Sequence, residues 1–474
     1  MDPTPVLLAG ERVADTGAEP VAVTNPYTGA VVATVPRCGP AEVDRACAAA
    51  AEVLAAGPLA QHERARVLER AAEGLRARTE ELATTIATES AKPLRTARVE
   101  AARAVDTFTF AAVEARRLAG DVVPMEASAS GSGKVAFTLR VPVGVVAAIT
   151  PFNFPLNLVA HKLAPAIAAG CPVVLKPAPQ TPLSALALVE VLVEAGLPAT
   201  WVSVVTDGGR EAGEPLVAHD VPAMVTFTGS APVGWAIAAA APRKRVALEL
   251  GSSSPLIVEP DADLAAVAGK VRVAGFSHAG QSCISVQRVL VARPAHDALL
   301  AALVEGAESL ATGDPLEEAT DVGPLIRPAE TARVRAWVEA AVAGGARVAT
   351  GATVTDDGVL RPTVVDGPAT TVDLWRREVF GPVVAVRAYD SFDEAIALAN
   401  DTDFGLHAGV FTRDLATALR AARELRFGGV LVNEVPTFRA DQQPYGGVGD
   451  SGNTREGPAY AVASMTEERF VSLQ

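Results

Sequence analysis

Cys283 is set apart by its neighbours. It lies in "SHAGQSCISVQRVLVARP", among small polar residues and just ahead of a β-branched run that reads as a strand. Free cysteine is among the most buried residue types, so packing is its ordinary job. A reactive cysteine needs partial exposure and surroundings that favour the thiolate. Gly280, Gln281 and Ser282 allow close backbone approach and leave the sulfur reachable, which favours a nucleophile here. Cys38, Cys47 and Cys171 lack that setting, and Cys171 reads as core between a helix and a strand. No C-x-x-C pair and no H-x-x-x-H pattern occurs, so neither a metal site nor a disulfide framework is expected. Scattered free cysteines suit a reducing cytoplasm.

A nucleophile of this kind calls for a base and for a donor to stabilise an oxyanion. Glu249 ends the apolar stretch of "ALELGSSSP", where a carboxylate is costly unless it faces a cleft. Asn153, in "ITPFNFPLNLVAHK", follows another strand and carries a neutral amide donor; Pro151 and Pro155 beside it equally suit a turn. Lys176 closes "VVLKP", where its ammonium could hold ribose hydroxyls or a phosphate. "FTGSAPVG" sets Gly229, Ser230 and Gly234 at a strand-to-helix junction able to bind a pyrophosphate. It is not the G-x-G-x-x-G fingerprint. "REVFGPV" and "PYGGVGDSG" complete the set. Each stretch alone also fits an ordinary strand end, turn or solvated charge.

These residues need a scaffold. Residues 41–120 form three Ala-, Glu- and Arg-rich stretches with helical spacing, broken at Gly57–Pro58 and ended at Gly120. Residues 124–134 read as a flexible turn, and "VAFTLRVP" alternates as an exposed strand. From 143, five apolar strands ("VVAAIT", "VVLKP", "VSVVT", "MVTFTG", "VALELG") alternate with four helical stretches. That predicts a doubly wound parallel sheet whose ligands bind at the carboxyl ends of its strands. A second alternating block spans about 255–432, followed by a Gly-rich loop and a strand-like tail, "ERFVSL".

The expected fold is α/β: two doubly wound α/β domains, one Rossmann-type and cofactor-binding, one catalytic, with a small β appendage. The boundaries are residues 1–121 and 142–250 for the first and 251–432 for the second. An oligomerisation hairpin and tail take 122–141 and 455–474, and 433–454 loops back toward the site. An exposed strand-forming tail pairs most naturally with a partner edge.

A chain of 474 residues with 49% hydrophobic and 20% charged residues has the composition of a globular protein of two or three domains. No apolar run reaches the roughly 18 residues of a membrane span. No signal peptide is evident. A formal charge of −14 argues against nucleic acid or an anionic membrane as partner.

Taken in order, PFNFP, KPA-x-x-TPL, FTGS-x-x-x-G, LELG, GQ-x-C, E-x-FGPV and PYGG-x-x-x-SG are far more specific than any one of them. In motif order and spacing the chain resembles the aldehyde dehydrogenase superfamily over essentially its whole length. The resemblance implies oxidation of an aldehyde to the acid with NAD(P)+. Cys283 would attack the aldehyde carbon. The Asn153 amide and the Cys283 backbone N–H would hold the oxyanion. Hydride would leave to the nicotinamide, and Glu249 would activate the water that hydrolyses the thioester. It also implies Lys176 at the adenosine ribose, Gly209 on the adenine side, and Gly229, Ser230 and Gly234 at the pyrophosphate turn. Glu378 and Phe380 would position the nicotinamide ribose and ring, with Thr150, Pro151 and Phe152 also on the cofactor side.

Two departures carry expectations. Pro179 stands where many NAD-preferring members have a glutamate that repels a 2′-phosphate, which leaves NAD expected and NADP open. Ser252 replaces the second glycine of LELGG, acceptable only if its φ is negative. "NLVAHK", "CISVQR" and "TFRADQQPYGG" are similar to the lactaldehyde-, phosphonoacetaldehyde- and semialdehyde-oxidising branches. A small, anionic aldehyde is therefore expected, with Arg439, Arg103 and His161 supplying positive charge and Ser282 and Ile284 shaping the pocket. The expected assembly is a homodimer or homotetramer. The alternatives are a CoA-acylating semialdehyde dehydrogenase, to which retention of Glu249 is unfavourable, and a catalytically silent paralogue, which would lack Cys283 or Asn153.

Overall fold

The computed structural model describes residues 2–474. Five parallel strands form the first sheet, in the order Arg245–Glu249, Pro222–Thr228, Val145–Ile149, Val173–Lys176, Val202–Val204. The first strand in sequence, Val145–Ile149, lies at the centre. The chain winds outward from it to one side and then to the other. The crevice at that reversal, above the carboxyl ends, is where ligands bind in such sheets. Each of the five strand stretches expected from the apolar runs is present, with helices between them at Asn157–Ala169, Leu183–Glu194, Gly213–Ala218 and Ala231–Ala240. The helix Asn157–Ala169 is buried at every position, including His161 and Lys162.

Of the four N-terminal helices, α1 (Pro40–Ala56) packs against this sheet, while α2 (Gln61–Ala77), α3 (Thr79–Ser90) and α4 (Leu94–Arg117) pack on one another and on the helices Asn157–Ala169 and Leu183–Glu194 that cover it. The long stretch 63–90 is not one helix, as its periodicity suggests, but two. At Arg78 the backbone turns to φ −109°, ψ 17°, and the Thr79 hydroxyl donates to the Leu75 and Arg76 carbonyls. Local side-chain hydrogen bonding of this kind competes with helix continuation where no Gly or Pro marks a stop.

The second sheet has seven strands: Arg347–Thr350, Thr363–Asp366, Val383–Tyr389, Arg288–Ala292, Pro255–Val258, His407–Phe411 and Gly429–Val432. All neighbours are parallel except the first pair. The appendage is a separate antiparallel sheet, Thr466–Leu473 beside Val135–Pro142 beside Val122–Val123. Two features differ from the sequence reading. Residues 124–134 hold two short 3-10 turns, Met125–Ala127 and Ala129–Gly131, closed where Gly131 leaves no room for a side chain under the Met125 carbonyl. Residues 455–465 do not belong with the tail strand. Val462 and Met465 pack into the core of the first domain, and Pro458–Ser464 is a helix.

Candidate active site

The loop that carries Cys283 is held in an unusual backbone conformation. His278, Ala279 and Gly280 all have positive φ, at 49°, 54° and 69°. Non-glycine residues seldom adopt that region. At Gly280 a Cβ would also sit 2.1 Å from the Gly381 carbonyl oxygen, so only glycine fits. Gln281 locks the turn. Its Oε1 accepts from Ile326 N–H at 3.0 Å and its Nε2 donates to the His278 carbonyl at 3.2 Å. Cys283 emerges half-buried, with Sγ 2.9 Å from the Tyr445 hydroxyl. The other cysteines are fully buried. Burial pushes the Cys283 thiol up to about 12, with Glu378 and Glu249 adding to the rise and Tyr445 and Arg439 opposing it.

Asn153 reaches the same loop. Its Nδ2 donates to the Gln281 carbonyl at 2.9 Å, and its Oδ1 is buried without a partner. The backbone just beyond it is fixed by Glu100, which accepts from Leu156 and Asn157 N–H and is paired with the buried Lys92. Glu249 ends its strand with 3% exposure and no hydrogen-bond partner on either oxygen. Its Oε1 lies against Gly446, where a Cβ would come within 2.8 Å. Burial and the neighbouring Glu456 hold its carboxyl well above the ordinary range. Glu456 moves the opposite way, to about 2, because Lys162 and Arg439 face it. Arg439 Nη2 donates to Glu456 at 3.0 Å, whereas Lys162 lies 3.4 Å away.

The structure gathers the cationic residues singled out by sequence into one wall. Arg103 makes a forked pair with Asp441, at 2.8 and 3.1 Å. His161 Nε2 lies 2.9 Å from Asp441 and 3.1 Å from Arg439. Each guanidinium therefore already has a carboxylate. Ile284 packs with Leu406 and Tyr445 beside Cys283 and forms an apolar wall, while Ser282 is buried in the loop.

The residues assigned to a cofactor lie along the crevice. Lys176 ends its strand and pairs with Asp207 at 2.8 Å. Gly209 and Ser230 are exposed, and Gly229 N–H donates to the Glu249 carbonyl at 3.1 Å. Gly234 faces Leu250, where a Cβ would come within 2.4 Å. Thr150 N–H donates to the Lys176 carbonyl at 3.1 Å, and its hydroxyl is unpartnered. Phe152, which follows Pro151, meets the Phe380 ring edge-on at 5.8 Å. Phe380 itself has φ 47°. Glu378 accepts from Ser252 N–H at 3.0 Å, and burial lifts its carboxyl to about 7. Ser252 is not among the positive-φ residues, so the serine fits.

Tyr445, Glu456, Lys162, Asp441 and Asp207 were not singled out from the sequence. Tyr445, Lys162 and Asp441 lie inside quoted motifs, but nothing local says that they turn inward.

The doubly wound parallel sheet, with polar groups gathered at its strand ends, fits the class of nucleotide-dependent oxidoreductases. The comparisons agree. The sequence pattern of the aldehyde dehydrogenase family matches residues 13–471. The 3-sulfolactaldehyde dehydrogenase of Priestia aryabhattai is 46% identical, over 97% of this chain and 96% of that one. The lactaldehyde dehydrogenase of Methanocaldococcus jannaschii is 37% identical, over 96% and 97%. Among solved structures, aldehyde dehydrogenase 21 of Physcomitrella patens, in complex with the reaction product succinate, superposes with TM-score 0.95 at 39% identity. That match covers 100% of this chain and 99% of that one. The NADP-dependent glyceraldehyde-3-phosphate dehydrogenase of Bacillus halodurans, complexed with NADP, gives 0.97 at 35%, with full coverage of both. The chain belongs to the aldehyde dehydrogenase family, whose members are NAD(P)-dependent oxidoreductases.

Proposed function

We propose that this enzyme oxidises a small, anionic aldehyde of the sulfolactaldehyde or semialdehyde type to its acid, with Cys283 as nucleophile. The observation that carries the reading is that Asn153 donates to the loop of the half-buried Cys283 at Gln281, while the unpartnered Glu249 lies near enough to raise the Cys283 thiol. The name of the Priestia relative and the succinate held by the Physcomitrella structure support the substrate class.

The residues fit a nicotinamide dinucleotide. Gly229 and Gly234 flank the start of the helix Ala231–Ala240, where free N–H groups suit a pyrophosphate. Lys176, beside Asp207, suits ribose hydroxyls, with Gly209 and the unpartnered Thr150 hydroxyl near the same strand ends. Phe152 and Phe380 form an aromatic wall beside Glu378 that suits the nicotinamide. When bound, this cofactor accepts the hydride. NAD is the expected partner, with NADP accepted.

Cys283 loses its proton and adds to the aldehyde carbon. The second N–H of Asn153 Nδ2 and the Cys283 backbone N–H donate to the oxygen that becomes negative, an arrangement worth a few kcal/mol. Sulfur then serves as leaving group, which splits one hard step into two. Glu249, once ionised, takes a proton from the water that attacks the thioester. The unpaired state of Glu249 suits a group that must swap partners during turnover. The apolar wall of Ile284 and Leu406 holds the chain of the substrate, and Arg103 and Arg439, each already paired with a carboxylate, reach an anionic group by sharing that pairing. The assembly is a homodimer or homotetramer built on the appendage, where Phe470, Leu473, Val135 and Leu139 are exposed.

The test is a panel of anionic and neutral aldehydes, each run with NAD and with NADP. The expected outcome is the highest kcat/KM for a small anionic aldehyde without CoA. An absolute need for CoA, or equal use of neutral aldehydes of the same size, contradicts the reading.

A further inference from the structure

The PYGG segment has no role in the chemistry described so far, yet its tyrosine makes the one side-chain hydrogen bond that Cys283 has. Tyr445 is 2% exposed. Its backbone is pinned by an antiparallel bridge to Glu456. The His407 ring packs against it edge-on at 5.0 Å. The Arg439 guanidinium lies over its face, 3.8 Å from the ring centroid. Among the described residues, the Cys283 sulfur is the only side-chain polar partner of its hydroxyl, at 2.9 Å.

We propose that Tyr445 is a catalytic residue: its hydroxyl donates to the Cys283 thiolate, and Arg439, stacked on the ring, strengthens that donor. The proposal rests on the reading of Cys283 as nucleophile. With a neutral thiol the S–H can donate to the phenol oxygen. Once the proton has left to solvent, the phenol O–H turns to donate to sulfur, and a hydrogen bond to an ion is about twice as strong as one between neutral groups. A cation over the ring face draws electron density toward itself, which makes the O–H a better donor. The other charged groups facing the sulfur are Glu378 and Glu249, which oppose ionisation, and Arg439, which favours it. Buried beside the sulfur, the phenol favours the anion without adding a charge. Arg439 thereby acts on the reaction through Tyr445, with Glu456 holding it in place.

The experiment compares the native enzyme, Tyr445→Phe, and the enzyme carrying a ring-fluorinated tyrosine at 445, whose phenol is more acidic. Each is measured against its own Cys283→Ala counterpart. The difference in ultraviolet thiolate absorbance at one alkaline pH reports the ionised fraction of Cys283. That fraction is expected to fall about tenfold in Tyr445→Phe and to rise with the fluorinated ring. Alkylation by iodoacetamide at neutral pH should slow by only about threefold in Tyr445→Phe, because a less stabilised thiolate is also more nucleophilic. The fluorinated variant keeps both ring and hydroxyl, so it tests the claim even if Tyr445→Phe folds poorly. A thiolate fraction that ignores the acidity of the ring, or that moves the same way in both variants, overturns the proposal. Turnover that survives in Cys283→Ala overturns the reading beneath it instead.

Discussion

Two neighbouring regions of the cavity treat their polar groups in opposite ways. Around Cys283, groups are left wanting: Asn153 Oδ1 and both oxygens of Glu249 are buried without partners. The neighbouring wall of Arg103, Asp441, His161, Arg439 and Glu456 is densely paired. A buried polar atom without a partner costs about 1–3 kcal/mol. The wall bears less of that cost, with His161 Nδ1 and Arg439 Nε its unpartnered atoms, and its carboxylates are all paired. The reacting side bears it, which is reasonable where the missing partners are a substrate, its oxyanion and a water. Glu249 and Glu456 show the contrast within one pair of acids. Burial raises Glu249, whereas Lys162 and Arg439 bring Glu456 down to about 2.

The sharpest way to break this contrast is to empty the reacting side. Cys283→Ala should lower turnover by at least about a thousandfold and leave cofactor affinity, read by fluorescence titration, unchanged. For Glu249→Gln, a single burst of reduced cofactor should precede a steady state slower by roughly a hundred- to ten-thousandfold; stopped-flow absorbance checks this. Breaking the wall should act on the fold first. Asp441→Ala leaves Arg103 and His161 without their carboxylate and should cost about 3 kcal/mol in urea unfolding.

The smallest effect is a pH dependence of stability. The raised carboxyl of Glu249 means that the folded state holds a proton which the unfolded chain releases near the ordinary carboxylate range. Native stability on this account is full below that range and falls as pH rises through the raised value. Glu249→Gln has no such loss. It should match the native enzyme in acid and be the more stable of the two at alkaline pH, seen as diverging Tm values. The same groups set the direction for activity. Both the Cys283 thiol and the Glu249 carboxyl must lose protons, so kcat should climb from acid toward alkaline pH.

Much of this was legible in the chain. The strand runs from 143 to 251 are apolar and short, and the parallel sheet they imply is the one found, although its strand order could not be read from them. Cys283, Asn153 and Glu249 could be picked out because each sits at a strand end or a tight loop, where a polar residue is conspicuous. The pairing of the wall could not be read. Arg103 and Asp441 are 338 positions apart, and Arg439 is answered by Glu456, which reads as part of an exposed tail. Charge in a sequence does not say whether it is free for a ligand or already matched, and that depends on long-range packing. The break at Arg78 was hidden for a similar reason, since a threonine hydroxyl rather than a Gly or Pro ends the helix.

The central claim is that Cys283 carries the substrate and Glu249 releases it. Mass spectrometry of Glu249→Gln, quenched during reaction with aldehyde and oxidised cofactor, tests it most directly. The account predicts an acyl group on the peptide containing Cys283, in amount equal to the burst of reduced cofactor. Reduced cofactor formed with no adduct on that peptide, or an adduct on another residue, would contradict it.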